Sequence, residues 1–577
     1  MPEAVVRGFR HFSLIWNQLS MKPYKIIASL IGLVASTAPV YSNGIYFASP
    51  EGAGNGSGDS WTNAFAAKNI ADILENREKG DVVYLLEGTY TGTTVRPIEG
   101  IDIIGGFPST AKGSDLSGYN PWTYHTIFTS EGKNDTDALI KIEGDPDKTE
   151  DLWTIFKGIR FSGCTGSTES SSYSGTAFNC THANVVMEDC TFENNTSYQG
   201  ACVVPAQGSR FHALHCVWNG NRNINTTTGG NMMQSVINGR GAAGSDTHVV
   251  LEGCVMVNNY IEDPEARETA NYGGSISMQD GHTNLCMVNC YADGGDNNAI
   301  HQNGGLMRLS NNSTLHFFAF NTFTNYETLA SECKGKIISF NGLTPFYMQG
   351  NLMITKEGAS VNDDNKANNA VFIQGWNSND MSEITSGGYN SVSGTMFSTY
   401  NDNHCTMREQ QPSDNWLAAG YTDVFKSNAP IANDGRFYLE PKENYRDVNL
   451  SEAIGIYNSF KMPDCFKWAN IDLSKDLFGN LRATTTYRGA YDPNAITVDT
   501  NSGIITAFSE ESIINITARG NGVFSVENSE GAADVFDIAG RRVISVEVCN
   551  ASDIDLSSYP SGIYFIKIDN KSFKVCK

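Results

Sequence analysis

The stretch "VVMEDCTFENN" (Val185–Asn195) decides the fold, because close copies of it recur along the chain. The clearest copies are "FHALHCVWNGN" (Phe211–Asn221), "VVLEGCVMVNN" (Val249–Asn259) and "LCMVNCYADGG" (Leu285–Gly295). One position, shared by these and by weaker copies, is occupied in chain order by Ile159, Cys190, Cys216, Cys254, Cys290, Asn321 and Asn351. The intervals run from 26 to 38 residues, a period typical of solenoids built from short repeated units.

Within each copy, apolar and polar residues alternate as they do in a strand with one buried face. Val185 and Met187 alternate with Val186 and Glu188. The alternation breaks at the next residue, and that position holds mostly Gly, Asn or Asp in the copies, which tolerate the positive φ of a tight corner. A second, asparagine-rich corner follows at Asn194–Asn195.

A third short strand, opened by glycine, precedes most copies; it begins near Gly175, Gly200, Gly273, Gly304 and Gly335. Three strands and three corners per turn predict an all-β, right-handed, single-stranded parallel β-helix. Its coils would stack at about 4.8 Å, making the cysteine position an interior ladder and the asparagine corner an amide ladder. The alternative is an antiparallel β-sandwich, which would not keep the same corner residue at the same position. The residues predicted to face inward are Val185, Met187, Cys190, Phe192, Phe211, Ala213, Cys216, Trp218, Val249, Leu251, Cys254 and Met256.

The net charge of −23 argues against nucleic acid and anionic membranes as partners. It also disfavours polyanionic glycans unless a local basic patch or bridging Ca²⁺ intervenes. Residues 1–42 are predicted to be an N-terminal extension plus a secretory signal peptide, with Met21 as the true start. The apolar run is too short for a membrane anchor, so no transmembrane segment is expected after cleavage.

Thirteen cysteines in an exported chain often indicate disulfides. Here Cys190, Cys216, Cys254 and Cys290 share one interior position, which favours free thiols that pack as small apolar groups. Cys549 and Cys576 in the tail are the remaining candidates for a pair.

The segment "GDVVYLLEGTYTG" (Gly80–Gly92) and the segment "NIDLSKDLFGNLRATTTYRGAYD" (Asn470–Asp492) lie near the two ends of the repeats. Both resemble exported bacterial parallel β-helix proteins of the pectate-lyase-like, choice-of-anchor type. In the second segment the matching pieces are Asp476–Arg482 and Arg488–Tyr491. The resemblance implies the fold and export for residues 43–495, but no particular reaction.

The tail reads "ADVFDIAGRRV", then "LSSYPSGIYF", then "FKV" near the end. It resembles the C-terminal sorting domain of the type IX secretion route of Bacteroidetes-type bacteria, although the usual "Tyr-Pro-Asn-Pro" opening is absent before Phe524. Alternating strands and glycine turns predict a small β-sandwich over residues 496–577. The resemblance implies the export machinery as a partner and a secreted or outer-surface location.

A polysaccharide lyase on this fold needs a base and a group that neutralises the uronate carboxylate, often Ca²⁺ held by acids. The candidates for catalysis are Arg210, His212, His282 and Arg308, and those for a metal are Asp293 and Asp296. His212 is expected to point outward because it occupies the position of Val186. For each of these residues the alternative is a solvated strand or corner position. The paired carboxylates of a β-helix hydrolase are not found.

The two longest intervals place insertions at Arg222–Ser235 and Tyr260–Tyr272. Extra residues on one side of a solenoid commonly build a binding rim. The aromatic residues expected there for stacking on sugar rings are Tyr260, Tyr272, Tyr291 and Trp376, although local packing of an exposed loop explains them equally well.

Two functions remain open at this level. The first is an exported β-helix protein that binds extracellular glycans or acts as an adhesive surface module. The second is a polysaccharide-degrading enzyme, most plausibly a lyase. The lyase requires a base, an acid cluster and an aromatic residue to converge within about 10 Å of one another in one groove.

Overall fold

A computed structural model describes residues 44–130, 138–147, 151–166, 175–198, 200–224, 235–262, 268–272, 274–279, 281–293, 300–303, 305–310, 313–325, 335–341, 345–355, 370–374, 384–394, 396–398, 403–405, 411–416, 420–433, 435–497, 515–520, 523–537, 542–559, 563–568 and 571–576. The predicted signal peptide lies outside these residues. The chain divides into two units, Met1–Ala495 and Ile496–Lys577.

The first unit is a parallel β-helix in which each coil adds one strand to each of three sheets. Val185 pairs in parallel with Thr154 of the preceding coil and with Phe211 of the following coil. This pairing excludes the antiparallel sandwich.

The strands of sheet A in the described chain are Ile45–Ser49, Phe65–Ala66, Val82–Leu86, Asp102–Phe107, Trp153–Lys157, Asn184–Glu188, Arg210–Leu214, Thr247–Glu252, Thr283–Val288, His316–Ala319, Phe346–Gln349 and Ile384–Ser386. Those of sheet B are Gly88–Gly92, Thr126–Ser130, Ile159–Ser162, Thr191–Glu193, Val217–Asn219, Val255–Val257, Tyr291–Asp293, Thr322–Asn325, Leu352–Thr355, Ser391–Val392 and Asn415–Trp416. Those of sheet C are Ile140–Glu143, Gly175–Thr181, Ala201–Ala206, Ile237–Arg240, Ile276–Gln279, Met307–Ser310, Ile338–Asn341, Val371–Gln374, Met396–Ser398 and Asn403–Cys405.

Two small parallel sheets extend the coils between sheets B and C. The first contains Thr196–Ser197, Arg222–Ile224 and Tyr260–Glu262, and the second pairs Glu268–Tyr272 with Ile300–Asn303. Both predicted insertions therefore begin with a stacked strand, and the second also ends with one.

The interior of the coils is a continuous apolar core that contains all the residues predicted to face inward. Aromatic rings stack from coil to coil: Phe192 lies 4.9 Å from Phe161 and 5.1 Å from Trp218, with nearly parallel planes. Among the cysteines of the shared position, the Cys216 thiol donates to the Met187 carbonyl of the preceding coil at 3.4 Å. Cysteine fits this position because it is small, apolar and a weak donor toward that carbonyl.

The predicted first corner adopts the left-handed backbone conformation in every copy. The residues with φ between 52° and 66° there are Gly158, Asp189, His215, Gly253, Asn289, Phe320 and Gly350. Phe320 also adopts it, although it carries a bulky side chain.

Buried asparagines form two ladders along the coils. At the second corner, the Asn195 amide donates to Asn221 at 2.8 Å, and Asn221 donates to Asn259 at 2.9 Å. In later coils the cysteine position itself becomes an amide ladder, in which Asn321 donates to Asn351 and Asn351 to Asn390. Each amide thereby satisfies the next, which allows polar groups to remain buried.

A capping helix, α1 (Ile70–Leu74), follows the first strand; the Asn69 side chain accepts from the Ala71 amide at its N-terminus. Residues 420–495, here named the closing segment, follow the last coil. This segment contains helices α2 (Tyr421–Val424), α3 (Leu450–Ser459) and α4 (Asp464–Lys467), and the strand pairs Ile431–Asn433 with Arg436–Tyr438 and Val448–Asn449 with Thr485–Thr486. Short 3₁₀ helices cover Trp61–Asn63 and Glu443–Tyr445.

The second unit is an antiparallel sheet with strands Asn515–Gly520, Val523–Asp537, Arg542–Asp555, Ile563–Ile568 and Lys571–Cys576. The two long strands, Val523–Asp537 and Arg542–Asp555, have 15 and 14 residues, and the first of them pairs both with Asn515–Gly520 and with Ile563–Ile568. In the described residues, the two sheets expected for a sandwich are therefore joined into one. Its own core includes Phe524, Val535 and Ile566.

Asp102 lies on the outer face of sheet A, in register with Val82 and Ile155. Burial beside these apolar neighbours raises the pKa of the Asp102 carboxyl to about 7 from 3.8. The folded state then holds more protons than the unfolded state between about pH 4 and 7, so the free energy of unfolding falls as pH rises through this window.

We therefore expect Asp102→Asn to remove this pH dependence and to stabilise the protein at pH 8. The carboxyl is only half-buried, so we expect a gain of about 2 kcal/mol, less than the full shift would give. Urea unfolding at pH 4, 6 and 8 measures it. Equal slopes of stability against pH for the variant and the parent protein would contradict the assignment.

Candidate functional site

The closing segment covers the outer face of sheet A in the later coils. An apolar cluster lies between the two. The outward residues of sheet A in it are Val250, Cys286, Val288, Phe317, Ala319 and Tyr347. They pack against Ala453 of α3, Phe466 of α4, and Ala469 and Leu473 beyond it. This part of sheet A is a packing surface.

The closing segment also covers the outer face of sheet B. A second apolar cluster lies beneath it there. The residues of sheet B in this second cluster are Val217, Val255, Val257, Tyr291, Leu352 and Ile354, and they pack with Tyr421, Leu439 and Leu477. Tyr291 is fully buried there. Its predicted availability for stacking on a sugar is therefore corrected: the closing segment occupies that space.

The edge between sheets C and A carries a row of polar side chains that remains in part accessible. One position near the start of consecutive sheet-A strands is in register from coil to coil, and it holds in order Trp153, Asn184, Arg210, His248 and Asn284. Asp151, Asp246 and His282 lie just before three of these strands. We call these eight residues, together with Trp468 of the closing segment, the corner row.

Asp151 is the centre of a hydrogen-bonded cluster in the corner row. Its Oδ1 atom accepts from Arg210 Nη1 at 3.0 Å and from Asn184 Nδ2 at 3.1 Å. The Arg210 side chain is 37% exposed and that of Asp151 is 67% exposed. Each group has further capacity, because a guanidinium has five donors and a carboxylate about four acceptor sites.

Two tryptophans lie beside this cluster. The rings of Trp153 and Trp468 are 5.3 Å apart with an interplanar angle of 41°, and both side chains are half-buried. An aromatic face beside a few fixed polar groups is a common composition of small-molecule sites.

The other end of the corner row contains two histidines. His282 Nδ1 lies 3.1 Å from Asp246 Oδ1, and about a third of each side chain is exposed. His248 hydrogen-bonds Asn284 at 3.1 Å. Burial lowers the pKa of His248 to about 4, and Arg210 acts in the same direction, so its ring is uncharged at neutral pH.

The residues predicted for catalysis do not converge in one groove. Arg210 and His282 belong to the corner row, but two coils separate them. Arg308 is on sheet C, in register with Ser277 and Ser339. His212 does point outward, yet it is fully buried under Trp468, at 5.8 Å between rings. The predicted outward direction of His212 is confirmed, but its candidacy for catalysis is corrected, because the closing segment covers it.

The predicted metal ligands and rim aromatics are placed only in part. Asp293 is buried, and the described residues contain no group of three acids, histidines or cysteines able to hold a metal. Asp296, Trp376 and the side chain of Tyr272 lie outside the described residues. Tyr260 is half-buried in a small sheet, in register with Arg222.

Sequence reasoning missed Asp151, Trp153, Asp246 and Trp468. Asp151 ends the acidic stretch "EGDPDKTED" (Glu143–Asp151), whose composition is typical of a solvated loop. Nothing in the repeat indicates that a tryptophan 315 residues farther along lies against Trp153. The one available signal was the polar residue that immediately precedes each copy, namely Asn184, Arg210, His248 and Asn284.

Residues 510–577 match the family described as the secretion system C-terminal sorting domain. The second unit is a sorting domain. This sorting domain marks the protein for export and the cell surface. Among the described helices, none has the length and hydrophobicity that crossing a lipid bilayer requires.

Solved structures similar to the chain include two lyases. The crystal structure of pectate lyase Pel9A is 13% identical, with 78% of this chain and 96% of that chain covered and a TM-score of 0.34. A rhamnogalacturonan lyase is 13% identical over 74% of this chain and 100% of that chain, with a TM-score of 0.27. At these TM-scores the likeness says nothing about ligand or activity. No curated protein sequence matches the chain significantly.

Proposed function

We propose that this exported β-helix protein binds an extracellular glycan through the corner row. The observation that carries the proposal is the half-exposed cluster in which Asp151 bonds Arg210 on one side and contacts Trp153, whose ring packs against Trp468, on the other. The closing segment occupies much of the outer faces of sheets A and B, and neither of the two apolar clusters beneath it includes a residue of sheet C.

The chemistry of the cluster suits a sugar. A vicinal diol donates to the free lone pairs of Asp151 and accepts from the remaining N–H groups of Arg210. The apolar face of the same ring packs on an indole. Asn184 and Trp153 hold Asp151 from two sides, so the polar pair is ordered before the ligand arrives.

Replacing Arg210 with glutamine should weaken binding at least tenfold, or about 1.4 kcal/mol, because the charge-assisted donors to the sugar are lost. The mature protein is first applied to an array of immobilised neutral and acidic polysaccharides. The affinity for the best ligand is then measured by calorimetry for the parent protein, Arg210→Gln and Trp153→Ala.

Arg222→Gln is the matched control. Arg222 also begins a strand, is 42% exposed and lies 3.8 Å from an acidic partner, Glu262, but it is outside the corner row. We expect this variant to bind like the parent protein. Equal losses in Arg222→Gln and Arg210→Gln, or no polysaccharide bound by the parent protein, would refute the proposal.

The lyase alternative is tested in parallel with uronate-containing polysaccharides, by following the absorbance of the unsaturated product with and without a chelator. Because Arg308 lies on sheet C, outside the corner row, and Arg210 and His282 are each paired with an acid, we expect no such product. Formation of the unsaturated product would favour the enzyme if substitution of Arg210, His282 or Arg308 abolished it.

A further inference from the structure

We infer that the corner row selects an uncharged polysaccharide and holds it as an extended chain parallel to the β-helix axis. This inference rests on the proposed function, because it concerns the ligand class of the same site. Two independent features carry it: the direction in which the row runs and the way in which its charges are paired.

The direction follows from the register. Trp153, Asn184, Arg210, His248 and Asn284 hold equivalent positions in consecutive coils. Four steps of about 4.8 Å place the last roughly 19 Å from the first, along the stacking direction. A ligand that contacts both the tryptophan pair and the histidine end must therefore be a chain of several sugars, lying along the coils rather than across them.

The charges of the row are already paired. Arg210 lies 3.0 Å from Asp151, and His282 lies 3.1 Å from Asp246. His248 adds no charge at neutral pH. A uronate carboxylate placed on the row would therefore face Asp151 and Asp246, and no cation of the row would be without an acidic partner.

The rest of the protein adds to this preference. With a net charge of −23, the molecule repels a polyanion before contact at low ionic strength. A neutral glycan avoids both the repulsion by the net charge and the close approach of a carboxylate to Asp151 and Asp246. Its hydroxyl groups use the remaining donors and acceptors of the paired side chains without separating the pairs. Its binding should accordingly depend little on salt.

The test compares polymers that differ only in charge. Galacturonan, glucuronan and mannuronan are each used in native form and after reduction of their carboxyl groups, with fragments of two to eight sugars. Affinities for the full-length mature protein, Arg210→Gln and Arg222→Gln are measured by calorimetry at 50 and 500 mM salt. We expect a reduced form to bind at least tenfold more tightly than its native form, with Arg210-dependent affinity that rises with length over several sugars.

The possible results distinguish the ligand class, the orientation of the bound chain and the proposed function. If a native uronan binds as tightly as its reduced form or more tightly, and Arg210→Gln weakens it, the ligand class is wrong while the proposed function survives. If affinity stops rising at two sugars, the axial orientation is wrong. If no polymer of either form binds in an Arg210-dependent way, both the inference and the proposed function fail.

Discussion

Replacing Arg482 with methionine should destabilise the β-helix by about 4 kcal/mol, the largest single effect expected in this protein. Arg482 is 5% exposed and lies where the closing segment meets the first corner of the coils. Its guanidinium donates to oxygen atoms of Lys475, Thr486, Tyr487, Asn289, Gly489 and Ala490. It also lies 4.5 Å from the ring of Phe320.

The size of the effect comes from what the substitution leaves behind. Burial lowers the pKa of Arg482 to about 10, whereas Asp476 and Asp492 favour its charged form, so it is a cation at neutral pH. Without it, these two buried carboxylates lose their counter-charge and several carbonyls lose their donor, and both losses are costly in a dry interface.

Arg446→Met provides the control, because Arg446 is 37% exposed and pairs with the largely exposed Glu443 at 3.2 Å. We expect that variant to lose less than about 1 kcal/mol. Urea unfolding followed by circular dichroism compares the two. A loss below 1 kcal/mol for Arg482→Met would mean that the closing segment does not depend on this residue.

The second large effect is expected for Asn351→Leu, at about 3 kcal/mol. Asn351 is fully buried in the later amide ladder. Its Oδ1 atom accepts from the backbone and the side chain of Asn321, and its Nδ2 atom donates to Asn390 and to the Phe318 carbonyl. Leucine fills a similar volume but leaves the Asn321 backbone N–H and the Phe318 carbonyl without these buried partners.

Because coils stabilise one another chiefly through their neighbours, a break in the ladder should also broaden the unfolding transition. Asn219→Leu is the same substitution at a half-buried position, where the side chain accepts one exposed hydrogen bond from Asn258 at 2.8 Å. We expect it to cost less than 1 kcal/mol. Similar midpoints for Asn351→Leu and Asn219→Leu would show that the ladder adds little.

The fold was predictable because its determinants are local and repeated. Alternation around Val185 identifies a strand, the small residues at the position of Asp189 identify a corner, and the recurrence of Cys190 identifies the stacking. Each signal is contained within a dozen residues and is confirmed by the next copy. Arg482, in the segment that resembles other closing segments, holds the closing segment on the coils of this protein.

The site was less predictable because it depends on which outward faces are covered. Parity along the strand gives the direction of His212 correctly, yet exposure depends on Trp468, which arrives from a distant part of the chain. The closing segment also buries Tyr291, whereas it leaves Arg210 accessible. Outward direction follows from local sequence, whereas accessibility follows from long-range packing.

Hydroxyl-radical footprinting can show directly whether a glycan binds at the corner row. Oxidation of each tryptophan is measured by mass spectrometry with and without a saturating neutral polysaccharide. We predict protection of Trp153 and Trp468, with no change at Trp122, which is half-buried beside Arg436 elsewhere on the protein. Protection centred on Trp376 or Trp122, with Trp153 and Trp468 oxidised as before, would contradict binding at the corner row.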